Sequence, residues 1–112
     1  MTQIKYPFGA ADTQALTATG AQALTVNDRF THIDGATVSA TGNRTINLTI
    51  DEGVEVGAMI FIESTTDGAE TLTFGTGITG AVLTGVAGKT FGKLFVYNGT
   101  AFIEASTPVQ ID

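Results

Sequence analysis

The chain contains one histidine, and its acidic neighbours make it the first candidate for chemistry. His32 lies four residues after Asp28 and two before Asp34, so a carboxylate could orient the imidazole as a general base. A catalytic site also needs a nucleophile and a loop that stabilises an oxyanion, and neither can be placed beside His32. A structural or surface histidine is therefore the favoured interpretation.

Two groups of carboxylates could bind a hard cation such as Ca²⁺ or serve as the acid pair of a glycosidase. The first comprises Asp51, Glu52 and Glu55, and the second comprises Asp67 and Glu70. Both groups fall at predicted turns, and neither has the spacing of a calcium-binding loop. We interpret them as solvated turn residues and predict no metal site.

Residues 75–80, Gly-Thr-Gly-Ile-Thr-Gly, have the glycine spacing of the dinucleotide-binding fingerprint, and a predicted strand precedes them. That motif works only if a helix follows, because the pyrophosphate sits on the helix N-terminus. Residues 81–88 are too rich in Gly and β-branched residues to form this helix. The sequence therefore predicts turn glycines and no cofactor.

Composition limits the partners that the chain can have. Its 112 residues carry a formal net charge of −6, with 14% charged residues, no Cys and no cluster of Lys or Arg. A phosphate backbone would be repelled by this charge, so nucleic acid is not expected as a partner. No apolar run approaches the roughly 20 residues of a membrane-spanning helix, so no membrane partner is expected either.

The elements that position these residues are predicted to be short strands. Residues 45–50, Thr-Ile-Asn-Leu-Thr-Ile, alternate between polar and apolar side chains, and Gly-containing turns recur at close spacing. This pattern indicates one all-β domain, a small antiparallel sandwich or a barrel-like module, with a β-solenoid also open. One tripeptide, Ala-Thr-Gly, occurs at 18–20 and at 40–42, and we interpret this single recurrence as chance.

The strongest local signal is Asn98-Gly99 between two β-prone runs, which predicts a hairpin with a two-residue type I′ turn. In that register Phe95 faces Phe102, and Lys93 faces Glu104 as a charge pair. Residues 59–62 and 94–97 are apolar on both faces, and no helix is predicted that could cover the second face. We therefore expect another copy of the chain to cover it. The predicted interface residues are Met59, Phe61, Phe95, Tyr97 and Phe102.

The chain is predicted to divide into an N-terminal arm, residues 1–22, and a β-rich module, residues 23–112. The arm lacks regular periodicity and contains Tyr6, Pro7 and Phe8. Arms of this kind bind by inserting aromatic anchors into pockets of a partner. We expect these three residues to attach the chain to a larger assembly.

Residues 45–104 resemble the β-rich modules of tailed-phage virion proteins, namely capsid decoration proteins, head fibres and tail-fibre domains. The resemblance follows the order of a Thr/Ile strand at 45–50, a strand ending in Gly-Thr-Gly at 72–77, and Val-Tyr-Asn-Gly-Thr at 96–100. Those modules often carry Asn-Trp where this chain has Ala101-Phe102. The resemblance implies a homotrimeric structural protein without catalytic activity, assembled in the host cytoplasm and bound to the major capsid protein or another virion protein. The alternative is a β module that binds carbohydrate on a host surface.

Overall fold

A computed structural model describes residues 12–112, which form eleven strands in two sheets and no helix. Sheet A contains β1 (Asp12–Ala15), β3 (Phe30–Ala40), β5 (Met59–Thr66), β7 (Ile78–Thr79), β9 (Thr90–Tyr97), β10 (Phe102–Glu104) and β11 (Val109–Gln110). Sheet B contains β2 (Gly20–Val26), β4 (Arg44–Ile50), β6 (Thr71–Phe74) and β8 (Leu83–Thr84). The all-β prediction is confirmed.

The first six strands alternate between the two sheets, so the chain winds through three successive coils. Coil 1 comprises β1 and β2, coil 2 comprises β3 and β4, and coil 3 comprises β5 and β6. Within sheet A β1, β3 and β5 pair in parallel, and within sheet B β2, β4 and β6 do the same. The predicted antiparallel arrangement is thus wrong for this half of the chain, which is a short two-sheet solenoid. Antiparallel pairing begins where β8 joins β6 and β9 joins β5.

The repeated Ala-Thr-Gly tripeptide marks the same corner of two neighbouring coils. The Thr41 N–H donates to the carbonyl of Ala18 at 2.9 Å, and the Asp67 N–H donates to the carbonyl of Ala40 at 3.0 Å. The corners of all three coils are therefore joined by backbone hydrogen bonds. The two tripeptides lie at equivalent corners but out of register, because Ala18 bonds to Thr41 and Gly20 pairs with Arg44, so the structure does not establish a repeat.

The predicted boundary between arm and module also needs correction. Residue 22 lies inside β2, and residues 12–15 already form β1 of the first coil. The β module therefore includes residues 12–22. Tyr6, Pro7 and Phe8 lie outside the described residues.

The core lies between the sheets and consists of inward-facing apolar side chains from both. Ile33, Ile60, Ile62, Phe95 and Phe102 from sheet A meet Val26, Ile46, Leu48, Leu72 and Leu83 from sheet B. All are less than 5% exposed. Burial of each such side chain contributes about 1.5–3 kcal/mol, so the single chain has a complete core of its own.

Two basic side chains are buried in this core, and the first is Arg44 at the start of β4. The guanidinium is 1% exposed and donates only to uncharged oxygens. In coil 1 it donates to the carbonyl of Thr17 at 3.3 Å. In coil 2 it donates to the carbonyls of Gly35 and Val38 at 3.2 Å each. In coil 3 it donates to the Ser64 hydroxyl at 2.9 Å and to the Thr65 carbonyl at 3.3 Å. Burial lowers the pKa of Arg44, but a guanidinium still keeps its proton. One side chain therefore links all three coils.

Gly35 makes room for this arrangement. A Cβ at this position would lie 2.6 Å from the carbonyl oxygen of Glu63 and 3.1 Å from a guanidinium nitrogen of Arg44. Gly35 lies inside β3, next to a break in its register with β5. The close approach of neighbouring strands and Arg44 therefore requires glycine here.

The second buried cation is Lys93 on β9. Its ammonium donates to Glu104 Oε1 at 3.2 Å and to the carbonyl of Ala81 at 3.3 Å. The rings of Phe74 and Phe95 lie 5.3 and 5.7 Å from the nitrogen, within the range of cation–π attraction. The Ala81 N–H, followed by Lys93, holds the pKa of Glu104 below its usual value. The predicted Lys93–Glu104 charge pair is present.

The hairpin that contains this pair has a different register from the predicted one. Tyr97 pairs with Phe102, and Phe95 pairs with Glu104, which is a shift of two residues. The connection is a four-residue loop, closed by the bond from Asn98 N to Ala101 O at 3.1 Å. Within this loop Gly99 alone has a positive φ, +100°. A type I′ turn needs a positive φ at both central residues, so the predicted turn type is wrong. An even shift leaves each side chain on its expected face of the sheet.

Substitutions at Arg44 test its role in joining the coils. Arg44→Met should lower the free energy of unfolding by about 3 kcal/mol or more, because oxygens in three coils lose their donors. Arg44→Lys should recover only part of this loss, since the three donors of an ammonium all come from one nitrogen, whereas the guanidinium reaches five oxygens from two nitrogens. Thr49→Ser, an exposed change in the same strand, should stay within about 0.5 kcal/mol. Denaturant unfolding measures all three, and wild-type stability of Arg44→Lys would contradict the proposed linkage.

Substitutions in the hairpin loop test its geometry. The Asn98 side-chain oxygen accepts hydrogen bonds from Thr100 N at 2.9 Å and Ala101 N at 3.0 Å. Asn98→Gly should therefore cost about 1 kcal/mol, whereas Asn98→Asp should be nearly neutral. Gly99→Ala should also cost about 1 kcal/mol, because its φ is unfavourable for residues with a Cβ. A neutral Asn98→Gly in denaturant unfolding would instead favour the type I′ turn.

Candidate functional site

The outer face of sheet A carries large apolar side chains, although the core lies on its other side. Phe30, Met59, Val96 and Ile103 lie side by side in one row across β3, β5, β9 and β10, and Phe61 and Leu94 are paired in the next row. We call these six residues the apolar face. None of them belongs to the core or packs against it, and Met59 is 40% exposed. A contiguous apolar surface of this kind is typical of an interaction site.

The apolar face is bordered on one side by charged residues. His32 stacks on Phe61 with ring centroids 6.2 Å apart, and its Nε2 lies 2.5 Å from Glu63 Oε1 in a hydrogen-bonded pair. Asp34 pairs with Glu63 in the next row. The Thr37 hydroxyl, then the backbone N–H groups of Thr37 and Ala36, lower the pKa of Asp34. The sheet surface at this border is therefore polar, whereas the part of the apolar face formed by β9 and β10 is apolar.

The predicted interface residues do not share one surface. Met59 and Phe61 lie on the apolar face, as an interface requires. Phe95 and Phe102 are fully buried in the core of the single chain, so we withdraw them from the interface. Tyr97 lies on the same inward side, its ring 5.0 Å from that of Phe102, and is half-buried at the end of the core.

Sequence reasoning missed four members of the apolar face, namely Phe30, Leu94, Val96 and Ile103. The predicted hairpin register puts Leu94, Val96 and Ile103 on one side of the hairpin, whereas the hairpin residues predicted for the interface lie on the other, aromatic side. The aromatic side faces inwards because sheet B covers it. The sequence pattern identifies two apolar sides but does not say which of them the chain covers itself.

The other candidate residues occupy positions that suit structural roles. His32 contacts Glu63, while Asp28 lies exposed in the connection before β3. Asp67 accepts a bond from the Ser39 hydroxyl at 2.7 Å, and Glu70 accepts one from Gly68 N at 2.7 Å. Within residues 12–112 no group of three His, Asp or Glu side chains is placed to hold a metal ion.

Residues 75–77 connect β6 to β7, Ile78 and Thr79 form β7 itself, and β8 follows in place of a helix. Gly77 adopts a φ of +76° within this turn. In the part of the chain that the structure describes, no helix is long and apolar enough to cross a membrane.

Comparisons with known proteins provide no relative for this chain. No family model, no curated protein and no solved structure matches it. The functional argument therefore depends on the surface described above.

The apolar face can be tested by adding one charge to it. Met59→Asp should reduce self-association by at least about tenfold, because burial of one large apolar side chain is worth more than 1.4 kcal/mol. Thr49→Asp changes the net charge equally but lies exposed on the outer face of sheet B, so it serves as the matched control. Sedimentation velocity across the micromolar range measures both. A wild-type chain that remains monomeric throughout would contradict a self-association role for this face.

Proposed function

We propose that this chain is a structural protein of a phage virion, a capsid-decoration or head-fibre module that acts without catalysis. It forms a homotrimer through the apolar face, and its N-terminal residues Tyr6, Pro7 and Phe8 attach it to the major capsid protein or another virion protein. The observation that carries the proposal is the apolar face itself. Met59 is 40% exposed and the other five side chains are half-buried, and none of the six belongs to the core.

The shape and charge of the module support a structural role. Three coils joined by backbone hydrogen bonds and by Arg44 form a rigid unit, which suits a component that reinforces or decorates a shell. The members of the apolar face on β9 and β10, namely Leu94, Val96 and Ile103, are uncharged. Copies of a chain with net charge −6 therefore meet less local repulsion there than at the charged border. The threefold symmetry and the virion location come from the resemblance of residues 45–104 to phage modules.

Co-sedimentation with capsids tests the proposal. The full chain should pellet with capsids of the phage whose genome encodes it, in a copy number divisible by three. The double variant Tyr6→Ala/Phe8→Ala should lose most of this binding, because aromatic anchors dominate such contacts, yet remain trimeric. A matched control, Thr2→Ala/Gln3→Ala, changes the same segment without removing an aromatic ring and should still bind.

Two outcomes would contradict this function. If the aromatic double variant pellets as well as the wild type, attachment does not depend on the N-terminal residues. If the chain binds no capsid and instead binds immobilised glycans, the carbohydrate-binding alternative replaces the structural one.

A further inference from the structure

The sheets end in strands of very different length. Among residues 12–112, sheet A has edge strands β1, β7 and β11, and sheet B has edge strands β2 and β8. Four of these have four residues or fewer, whereas β2 has seven. Short edge strands are one way in which proteins prevent pairing with other chains. Strand β2 lacks this protection.

Within the described residues, strand β2 also has no bulge, proline or charged side chain to protect its edge. Its seven residues pair with β4 in unbroken register, so no bulge interrupts the strand. Residues 13–27 contain no Asp, Glu, Lys, Arg, His or Pro in a chain whose net charge is −6. Charges, prolines and bulges are the features that keep an edge from pairing. The β2 edge is thus regular and free of charge.

The backbone groups on this edge can be assigned from the parallel pairing. The Gly20 N–H donates to Asn43 O at 2.9 Å, and Val26 O accepts from Asp51 N at 2.8 Å, so even-numbered residues bond towards coil 2. In a parallel pair the alternate residues point the other way. Ala21, Ala23 and Thr25 therefore direct their N–H and C=O groups to the open side, where Gln14 Nε2 donates to Thr25 O at 2.6 Å.

We propose that a second copy of the chain pairs with this edge in antiparallel orientation, about a twofold axis at Ala23. Ala23 would pair with its own counterpart, and Ala21 with Thr25 of the other copy, so that the outward N–H groups of all three residues find partners and Thr25 O accepts a second bond besides that from Gln14. Residues 13–27 place no charged side chain at this contact, and the small side chains of Ala21 and Ala23 do not obstruct the approach. This second-copy contact is separate from the apolar face and does not depend on the proposed function.

Amide hydrogen exchange measured by NMR at several protein concentrations tests this pairing. The amides of Ala21, Ala23 and Thr25 should become protected as concentration rises, with a midpoint equal to that of dimer formation. Those of Gln22 and Leu24, which bond towards β4, should be protected throughout and serve as internal controls. Full protection that persists on dilution would mean that the edge is covered within its own chain, and absence of protection would mean that it stays open. Either result overturns the proposal.

A variant pair separates this contact from the apolar face. In a Met59→Asp background, which weakens the apolar-face contact, dimers formed through β2 should persist. Adding Ala23→Pro should weaken them by at least about tenfold, because proline removes an outward donor that β4 does not use. Ala23→Ser keeps the donor and should leave dimerisation unchanged. Equal dimerisation of the two Ala23 variants would overturn the pairing.

Discussion

The buried guanidinium of Arg44 is the interaction on which the three coils most depend. Parallel solenoid coils are joined by backbone ladders at their strands, but each corner has carbonyls that turn inwards. Arg44 satisfies such oxygens in all three coils at once, and Gly35 leaves the space for it to do so. A buried cation without an acidic partner is stable only when hydrogen bonds surround it. The inward-turned carbonyls therefore need the Arg44 guanidinium as a donor, and the buried guanidinium needs those carbonyls as acceptors.

This internal organisation explains why the surfaces differ so much. Both sheets contribute their inward faces to one core, and Lys93 with Glu104 completes its far end. What remains is an outer face of sheet B with Thr and Asn side chains and an outer face of sheet A with six apolar ones. The core does not include those six side chains, and their position on the outer surface is the observation from which we propose a contact with another molecule.

The sequence was sufficient for the fold class but not for the winding of the chain. Alternation in residues 45–50 identifies a strand with one dry face, and it cannot say whether the next strand returns beside it or crosses to another sheet. Parallel pairing between coils depends on corners, and here the only sequence trace of the corners is Ala-Thr-Gly at 18–20 and 40–42. A single recurrence is too weak to identify a repeat, and the bond from Thr41 N to Ala18 O shows that the two tripeptides are out of register at their shared corner.

The sequence also could not decide which face of the hairpin is the interface. The hairpin register was wrong by two residues, yet every side chain stayed on its expected face because strand side chains alternate with a period of two. The error lay in choosing between the two faces. Aromatic Phe95 and Phe102 are the larger surfaces, and large aromatic rings stabilise a core as readily as an interface. Only the position of sheet B decides between these roles, and that position depends on the coil winding that the sequence leaves open.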